Sequence, residues 1–231
     1  VEFTDIDFDK LFSRDYSAAD VYIFGGEPLI HPQLNELLDR FTSPVIIQTN
    51  LSVSNRRIIQ LLDSYPNVYL SPSFHYEEAN VEQFIDKMDI IQQHDRLREA
   101  SVMWLSEYDS KIYIIYKLLK ERFSDVYLDP TLPWTKDLTD WQDKVELKRF
   151  AAKYSPDLTK NFGQKVVVDD QEKTVLQSYI DNDDLSVCGM NCSVGDYRIC
   201  YDAHLNEWRG CTSDIIFRNT SEGVCKNPVC L

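Results

Sequence analysis

Glycine and cysteine are both scarce in most of this sequence. Only seven glycines occur in 231 residues; Gly25 and Gly26 are adjacent, and the next is Gly163. Cysteine is absent from the first 187 residues, and all six cysteines follow that point. The distribution predicts a long body with one glycine pair and a cysteine-rich tail of different chemistry.

The sequence also lacks long apolar runs and an excess of positive charge. No run approaches the roughly 20 apolar residues of a membrane span, and residues 1–12 lack the basic and apolar blocks of a secretory signal. Lys and Arg number 24 against 38 Asp and Glu, a net charge of −14. Because phosphate binding requires clustered Lys and Arg, nucleic acid is not an expected partner. We expect a cytoplasmic protein with neither a membrane nor a nucleic-acid partner.

Five short apolar runs alternate with amphipathic stretches. The runs at 21–24, 45–48, 68–71, 100–105 and 126–128 predict strands. The stretches between them repeat apolar residues at i, i+3 and i+4, which is typical of helices packed on a sheet. These stripes are Leu34, Leu37, Leu38 and Phe41; Ile58, Ile59, Leu61 and Leu62; Val81, Phe84, Ile85 and Met88; and Ile114, Ile115, Leu118 and Leu119. The alternation predicts βαβ units and a parallel sheet, and leaves a doubly wound sheet and a partial barrel as equal alternatives.

The glycine pair directly follows the first predicted strand. Gly25 and Gly26 are succeeded by Glu27 and Pro28, and a helix is predicted from about residue 32. Two glycines let the backbone adopt positive φ or approach a ligand closely. Glu27 then lies at the carboxyl end of a parallel strand, where α/β folds bind ligands, and its charge suits a cationic amino group. A tight turn with an exposed carboxylate is the alternative.

The motif resembles that of radical S-adenosylmethionine (SAM) enzymes, in which a Gly-Gly-Glu-Pro segment contacts the amino group of SAM. Gln48-Thr49-Asn50 and the segment 71–75 resemble the next two strand ends of that family, in order. The resemblance covers roughly residues 5–130. It implies a partial (β/α)6 barrel lacking its first strand, with Gly25, Gly26, Glu27, Pro28, Asn50, Ser71 and Ser73 at the SAM site.

One defining feature of that family is missing from this sequence. Its CxxxCxxC loop, whose three thiolates hold the [4Fe–4S] cluster that cleaves SAM, has no counterpart among residues 1–231. The family pattern would place the loop upstream of residue 1. We expect the chain to be a fragment that begins after it; a homologue that has lost the loop is the alternative.

The tail cysteines are expected to bind a metal and not to form disulfides, because nothing in the sequence suggests secretion and cysteine clusters of cytosolic proteins are more often metal sites. They are separated by three, seven, ten, thirteen and four residues, so no CxxC pair exists. Zinc sites usually contain such pairs, whereas thiolates are also the usual ligands of iron–sulfur clusters. Spacing leaves zinc and iron–sulfur as equal alternatives, and a tail with so few apolar residues is expected to need a staple.

The tail also resembles the auxiliary-cluster domains called SPASM or twitch, which follow the barrel in many radical SAM enzymes that modify peptides or proteins. The resemblance begins at Cys192 and implies one auxiliary [4Fe–4S] cluster held by Cys192, Cys211, Cys225 and Cys230. Cys188 and Cys200 are left over. A peptide or small-protein substrate, and a reductant such as flavodoxin or ferredoxin, are implied with it.

Asp129 is the candidate acid or base. It ends the last predicted strand and precedes Pro130, although Asp before Pro is also an ordinary turn. The sequence thus predicts a partial radical SAM barrel at 1–135, a linker with one helix at 136–164 and a Cys-rich auxiliary domain at 165–231. The predicted function is hydrogen abstraction by a 5′-deoxyadenosyl radical, and the alternative is a non-catalytic α/β binding module with a zinc-stapled tail.

Overall fold

The computed structural model divides the chain into two compact units, Val1–Thr131 and Leu132–Leu231. The structure describes residues 5–13, 15–17, 19–130, 153–154, 165–168, 171–174, 199–201 and 207–209. Within these ranges no helix is long and apolar enough to cross a membrane.

The first unit contains a five-stranded parallel sheet, as the sequence predicts. Its strands are β1 (Val21–Ile23), β2 (Val45–Thr49), β3 (Val68–Phe74), β4 (Ala100–Trp104) and β5 (Val126–Pro130). They lie side by side in the order β1-β2-β3-β4-β5. Each strand is therefore hydrogen-bonded to the strand that precedes it in the chain, and the order never reverses.

Five helices accompany the sheet: α1 (Phe8–Leu11), α2 (Leu34–Leu38), α3 (Asn55–Ser64), α4 (Val81–Gln93) and α5 (Asp109–Arg122). Ser54 and Asn80 begin α3 and α4 by accepting a backbone N–H with their side chains, which satisfies an otherwise unpaired donor of the first turn. A short 3-10 helix, Pro28–Ile30, follows β1.

The helical stripe predicted on α5 is wrong in part. Ile114 is 68% exposed and Leu118 46% exposed, whereas Ile112, Tyr116 and Leu119 are buried. Positions 112, 116 and 119 follow the i, i+4, i+7 spacing of one helix face. Tyr116, which is polar at its tip, holds the centre of that face, so the apolar pattern alone selected a face rotated away from the core.

The two faces of the sheet differ in chemistry. Side chains alternate between the faces along each strand, and one set is almost entirely apolar and buried. This set includes Val45, Ile47, Val68, Leu70, Phe74, Ala100, Val102, Trp104, Val126 and Leu128. The helices pack here; the ring of Phe74, for example, lies 5.2 Å from that of Phe84 on α4.

The opposite face, called here the polar face, carries the buried Ile46 and a mostly polar set: Tyr22, Gln48, Tyr69, Ser71, Ser73, Ser101, Met103, Tyr127 and Asp129. Register pairs these residues across strands, because Gln48 lies opposite Ser71, Ser73 opposite Ser101, and Met103 opposite Asp129. Tyr22 is 58% exposed. The chain thus builds a sheet whose main core lies on one side and most of whose polar groups lie on the other.

A bulge interrupts the pairing of β3 with β4. Leu70 lies opposite Leu97, but Ser73 lies opposite Ser101, so β4 contributes one extra residue. The backbone N–H and carbonyl of Leu70 both form hydrogen bonds with the segment that leads into β4, at Arg96 and Arg98. Because successive residues of a strand alternate between its two neighbours, the nitrogen of Pro72 also faces β4. A proline inside a central strand is therefore tolerated, because its missing N–H falls where the ladder is already broken.

The described residues of the second unit include two antiparallel strand pairs. β6 (Lys165–Val168) pairs with β7 (Gln171–Thr174), and β8 (Ile199–Tyr201) pairs with β9 (Glu207–Arg209). The sequence of the tail also favours strands at 165–168, 197–201 and 205–209, and these stretches contain β6, β8 and β9. Cys200 lies opposite Trp208 in the second pair.

Candidate functional site

The loop after β1 takes a conformation that favours glycine at two successive positions. Gly25 has φ +94° and Gly26 has φ +54°. A Cβ atom at either position would meet no other atom within 4 Å. The requirement for glycine is therefore one of backbone torsion and not of space, and the loop turns sharply before it presents Glu27.

Glu27 is held by donors from two neighbouring segments. Its Oε1 accepts the Leu29 backbone N–H at 3.0 Å, and its Oε2 accepts the Asn50 N–H at 2.8 Å. The Thr49 hydroxyl lies 2.8 Å from Oε1 and 2.9 Å from Oε2. The carboxylate therefore caps the 3-10 helix and joins the β1 loop to the end of β2, while remaining half-buried.

The segment after β2 is shaped by its own hydrogen bonds. Leu51 has φ +55°, an uncommon value for a residue with a branched side chain. Its N–H donates to the Thr49 hydroxyl at 3.0 Å, and its carbonyl accepts the Lys87 ammonium of α4 at 2.7 Å. The Asn50 side chain accepts the Ser52 N–H at 2.9 Å. These bonds hold the turn that aims the Asn50 N–H at Glu27.

A chain of polar side chains crosses the polar face between β2 and β4. The Gln48 amide donates to the Ser73 hydroxyl at 3.3 Å, and the hydroxyls of Ser73 and Ser101 are 2.9 Å apart. Ser73 is only 4% exposed. Ser71 donates its hydroxyl to the Glu99 carbonyl at 2.9 Å, within the bulge. Of the two predicted serines, Ser71 thus satisfies the backbone and Ser73 belongs to a side-chain network.

Asp129 lies near the carboxyl end of β5 on the polar face, opposite Met103 of β4. Burial raises the pKa of Asp129 from 3.8 to about 6, and repulsion from the Glu99 carboxylate adds to the rise. A carboxyl group with such a pKa exchanges its proton close to neutral pH, as general acids and bases do. The position and the ionisation of Asp129 are compatible with the role predicted from sequence.

The predicted SAM-site residues converge to different degrees. Gly25, Gly26, Glu27 and Asn50 form one connected group, and Pro28 is buried at the first position of the 3-10 helix. Ser71 and Ser73 lie on β3, the strand beside β2. All of them belong to the carboxyl halves of adjacent parallel strands or to the loops that follow, the region where α/β folds bind ligands.

The predicted metal ligands lie almost entirely outside the described residues. This holds for Cys188, Cys192, Cys211, Cys225 and Cys230, and Cys200 is the exception. Within the described residues, no group of three or more His, Cys, Asp or Glu side chains could hold a metal ion.

Sequence reasoning did not assign roles to two residues that shape this site. Thr49 was noted only as part of a strand-end motif, although its hydroxyl is the shared partner of Glu27 and Leu51. Lys87 lies 36 positions from Leu51, so no local pattern links the two. The one available signal was Thr49 itself, the second of three polar residues that follow the apolar run 45–47.

Comparison with known proteins gives a likeness in fold. No protein-family model matches the chain, and no curated protein matches it significantly. Among solved structures, native anSMEcpe with bound AdoMet (that is, SAM) is similar, with a TM-score of 0.52 and 12% identity. The match covers 90% of this chain and 64% of that chain, so this chain spans less than two thirds of its neighbour's length. At this identity the likeness shows a shared α/β fold with a parallel sheet.

Proposed function

We propose that this chain binds SAM at the carboxyl edge of its sheet and is part of a radical SAM enzyme. In this proposal, the Glu27 carboxylate accepts the ammonium of the methionine moiety. The observation that carries it is the anchored, half-buried Glu27 behind two glycines of positive φ. The bound AdoMet of native anSMEcpe, whose fold is similar, supports the same class of ligand.

The arrangement of the strands supports a partial barrel over a doubly wound sheet. A doubly wound sheet reverses its strand order and is covered by helices on both faces. Here the order runs from β1 to β5 without reversal. Most buried apolar side chains lie on one face of the sheet, with Ile46 as an exception, and most polar ones lie on the other. A curved sheet with helices outside and polar groups inside is the architecture that such a barrel requires.

The remaining contacts of SAM are proposed along the polar face. Gly25 and Gly26 would let the backbone approach the methionine end, while Asn50, Ser71 and Ser73 would border the rest of the molecule. Asp129, also on the polar face, would exchange a proton with the substrate or with a group that reacts with it. Its pKa of about 6 suits that task.

The iron–sulfur chemistry of the proposal depends on the resemblance of the sequence to its family. When bound beside a reduced [4Fe–4S] cluster, SAM is the source of the 5′-deoxyadenosyl radical. We propose the barrel at 1–135, the linker at 136–164 and the auxiliary domain at 165–231, with Cys192, Cys211, Cys225 and Cys230 as cluster ligands. A peptide or small protein is the proposed substrate, and flavodoxin or ferredoxin the proposed reductant.

Calorimetric titration of SAM into the full chain tests the ligand. Glu27→Gln removes the negative charge and keeps the shape of the side chain. Its single amide oxygen can accept from only one of the Leu29 and Asn50 N–H groups, so it disturbs the loop, although less than Glu27→Ala, which removes both acceptors. Loss of a charge-assisted hydrogen bond is expected to weaken SAM binding by about ten- to a hundredfold. Glu78→Gln, at an exposed carboxylate after β3, is the matched control and should bind SAM as the unsubstituted chain does. Equal SAM affinity of the Glu27→Gln variant and the unsubstituted chain would exclude this role.

A further inference from the structure

We propose that Thr49 is the positioning residue of the SAM site, acting through Glu27. Its hydroxyl fixes the orientation of the carboxylate that receives the ligand's ammonium, and it couples that carboxylate to the turn at Leu51. The inference rests on the proposed function, because it assigns how the same site is preorganised.

The geometry fixes which partner the Thr49 hydroxyl donates to and which it accepts from. An ionised carboxylate only accepts hydrogen bonds, so the hydroxyl proton points toward Glu27, at 2.8 and 2.9 Å from its two oxygens. The hydroxyl oxygen accepts the Leu51 N–H at 3.0 Å. Donors and acceptors thus run in sequence from Leu51 through Thr49 to Glu27, and such chains polarise one another.

Threonine suits this position better than residues of similar size. Its backbone pairs with Pro72 in the sheet, and it is only 2% exposed. A β-branched side chain has few accessible rotamers in such a setting. The hydroxyl is therefore held by packing as well as by hydrogen bonds. A valine would fill the same space but would leave the Glu27 carboxylate and the Leu51 N–H without their hydrogen bonds to this hydroxyl.

A second clamp acts on the far side of the turn. Lys87 donates its ammonium to the Leu51 carbonyl at 2.7 Å, and Leu51 itself is 2% exposed. Left-handed backbone at such a residue persists only where the surroundings hold it. With Thr49 on its N–H and Lys87 on its carbonyl, Leu51 keeps the turn that directs the Asn50 N–H to Glu27.

The arrangement leaves one place for the ligand. The two oxygens of a carboxylate offer about four acceptor positions, and three donors converge on them from Leu29, Thr49 and Asn50. A further donor is accommodated without displacing any of these. The Thr49 hydroxyl lies between both oxygens. Its loss would leave only the Leu29 and Asn50 N–H groups on the carboxylate and would open a second acceptor position, so the ligand's donor would no longer be directed to one place.

The test compares three variants of the full chain by calorimetric titration with SAM and with 5′-methylthioadenosine, which lacks the ligand's amino-acid end. Thr49→Val removes the hydroxyl and keeps the branch, Thr49→Ser keeps the hydroxyl, and Ser43→Ala removes a buried hydroxyl that has no hydrogen-bond partner within the described residues. We expect Thr49→Val to weaken SAM binding by about tenfold, and Thr49→Ser to restore most of it. Affinity for 5′-methylthioadenosine should not change in any variant.

Amide hydrogen exchange in the ligand-free chain gives a second readout. The Asn50 and Leu51 amides should exchange faster in Thr49→Val and at the original rate in Thr49→Ser and Ser43→Ala. If Glu27→Gln weakens SAM binding but Thr49→Val does not, the positioning role is overturned and the proposed function stands. If Glu27→Gln leaves SAM binding unchanged, the proposed function fails, and with it the ligand role of Thr49. An equal loss for both ligands in Thr49→Val would indicate general disruption and would also overturn the inference.

Discussion

Asp129 combines a position on the polar face with an ionisation that reaches toward neutral pH. Its pKa of about 6 lies above the 3.8 of an ordinary aspartate, so the folded state disfavours its charged form. The folded protein binds more protons than the unfolded chain between these values, and the free energy of unfolding therefore falls as the pH rises from about 4 to 6. Below about pH 4 the burial of Asp129 does not lower the free energy of unfolding through its charge, and above about pH 6 the full reduction is present.

Replacing this side chain tests the assignment. Asp129→Asn mimics the neutral form, so at pH 7 it should raise the free energy of unfolding by on the order of 2 kcal/mol, with little change at pH 4. Urea unfolding at the two pH values measures the difference. Asp86→Asn on α4, an exposed carboxylate, controls for the loss of one negative charge. An equal effect of Asp129→Asn at both pH values would contradict the raised pKa.

The candidate residues at the loop after β1 can be picked out from the sequence, whereas the residues that hold them cannot. Gly25, Gly26 and Glu27 were recognisable because an adjacent glycine pair before a carboxylate is rare in a chain so poor in glycine. Thr49 and Lys87 were not, because their roles come from contacts between segments 22 and 36 positions apart. The raised pKa of Asp129 likewise depends on burial and on Glu99, which only the assembled sheet brings near.

Among the helices and strands, α5 shows that an apolar residue is not always a buried one. Its apolar residues surround most of the helix, and Tyr116 occupies the buried centre while Ile114 faces solvent. The stripe predicted on α3 agrees better with the structure, since Ile58, Leu61 and Leu62 are buried and Ile59 alone of the four is exposed. The buried face of α5 still follows helical spacing, but it includes a tyrosine, which an apolar pattern passes over.

The two faces of α5 should respond differently to truncation. Tyr116→Ala should lower the free energy of unfolding by about 3–5 kcal/mol, because it removes a large buried ring and leaves a cavity. Ile114→Ala should change it by only about 0.5 kcal/mol or less, because the side chain is mostly in water. Urea unfolding of the two variants gives the comparison. A larger loss for Ile114→Ala would restore the face predicted from sequence.

At the scale of the whole molecule, the tail remains a prediction from the cysteine pattern. Anaerobic reconstitution of the full chain with iron and sulfide should yield both elements, together with broad visible absorption. Cys211→Ala and Cys225→Ala should lose them, because a cluster needs its thiolates, whereas Cys188→Ala should retain them. One equivalent of zinc without visible absorption would favour the stapled binding module instead.

The strand order also bears on how the sheet can form during synthesis. Each strand pairs with the one before it, across segments of about 25 residues. Short loop closures lose less chain entropy than long ones, and no strand waits for a partner from the far end of the chain. The sheet can therefore grow from β1 to β5 in the direction of translation, with each new helix covering the pair of strands that has just joined.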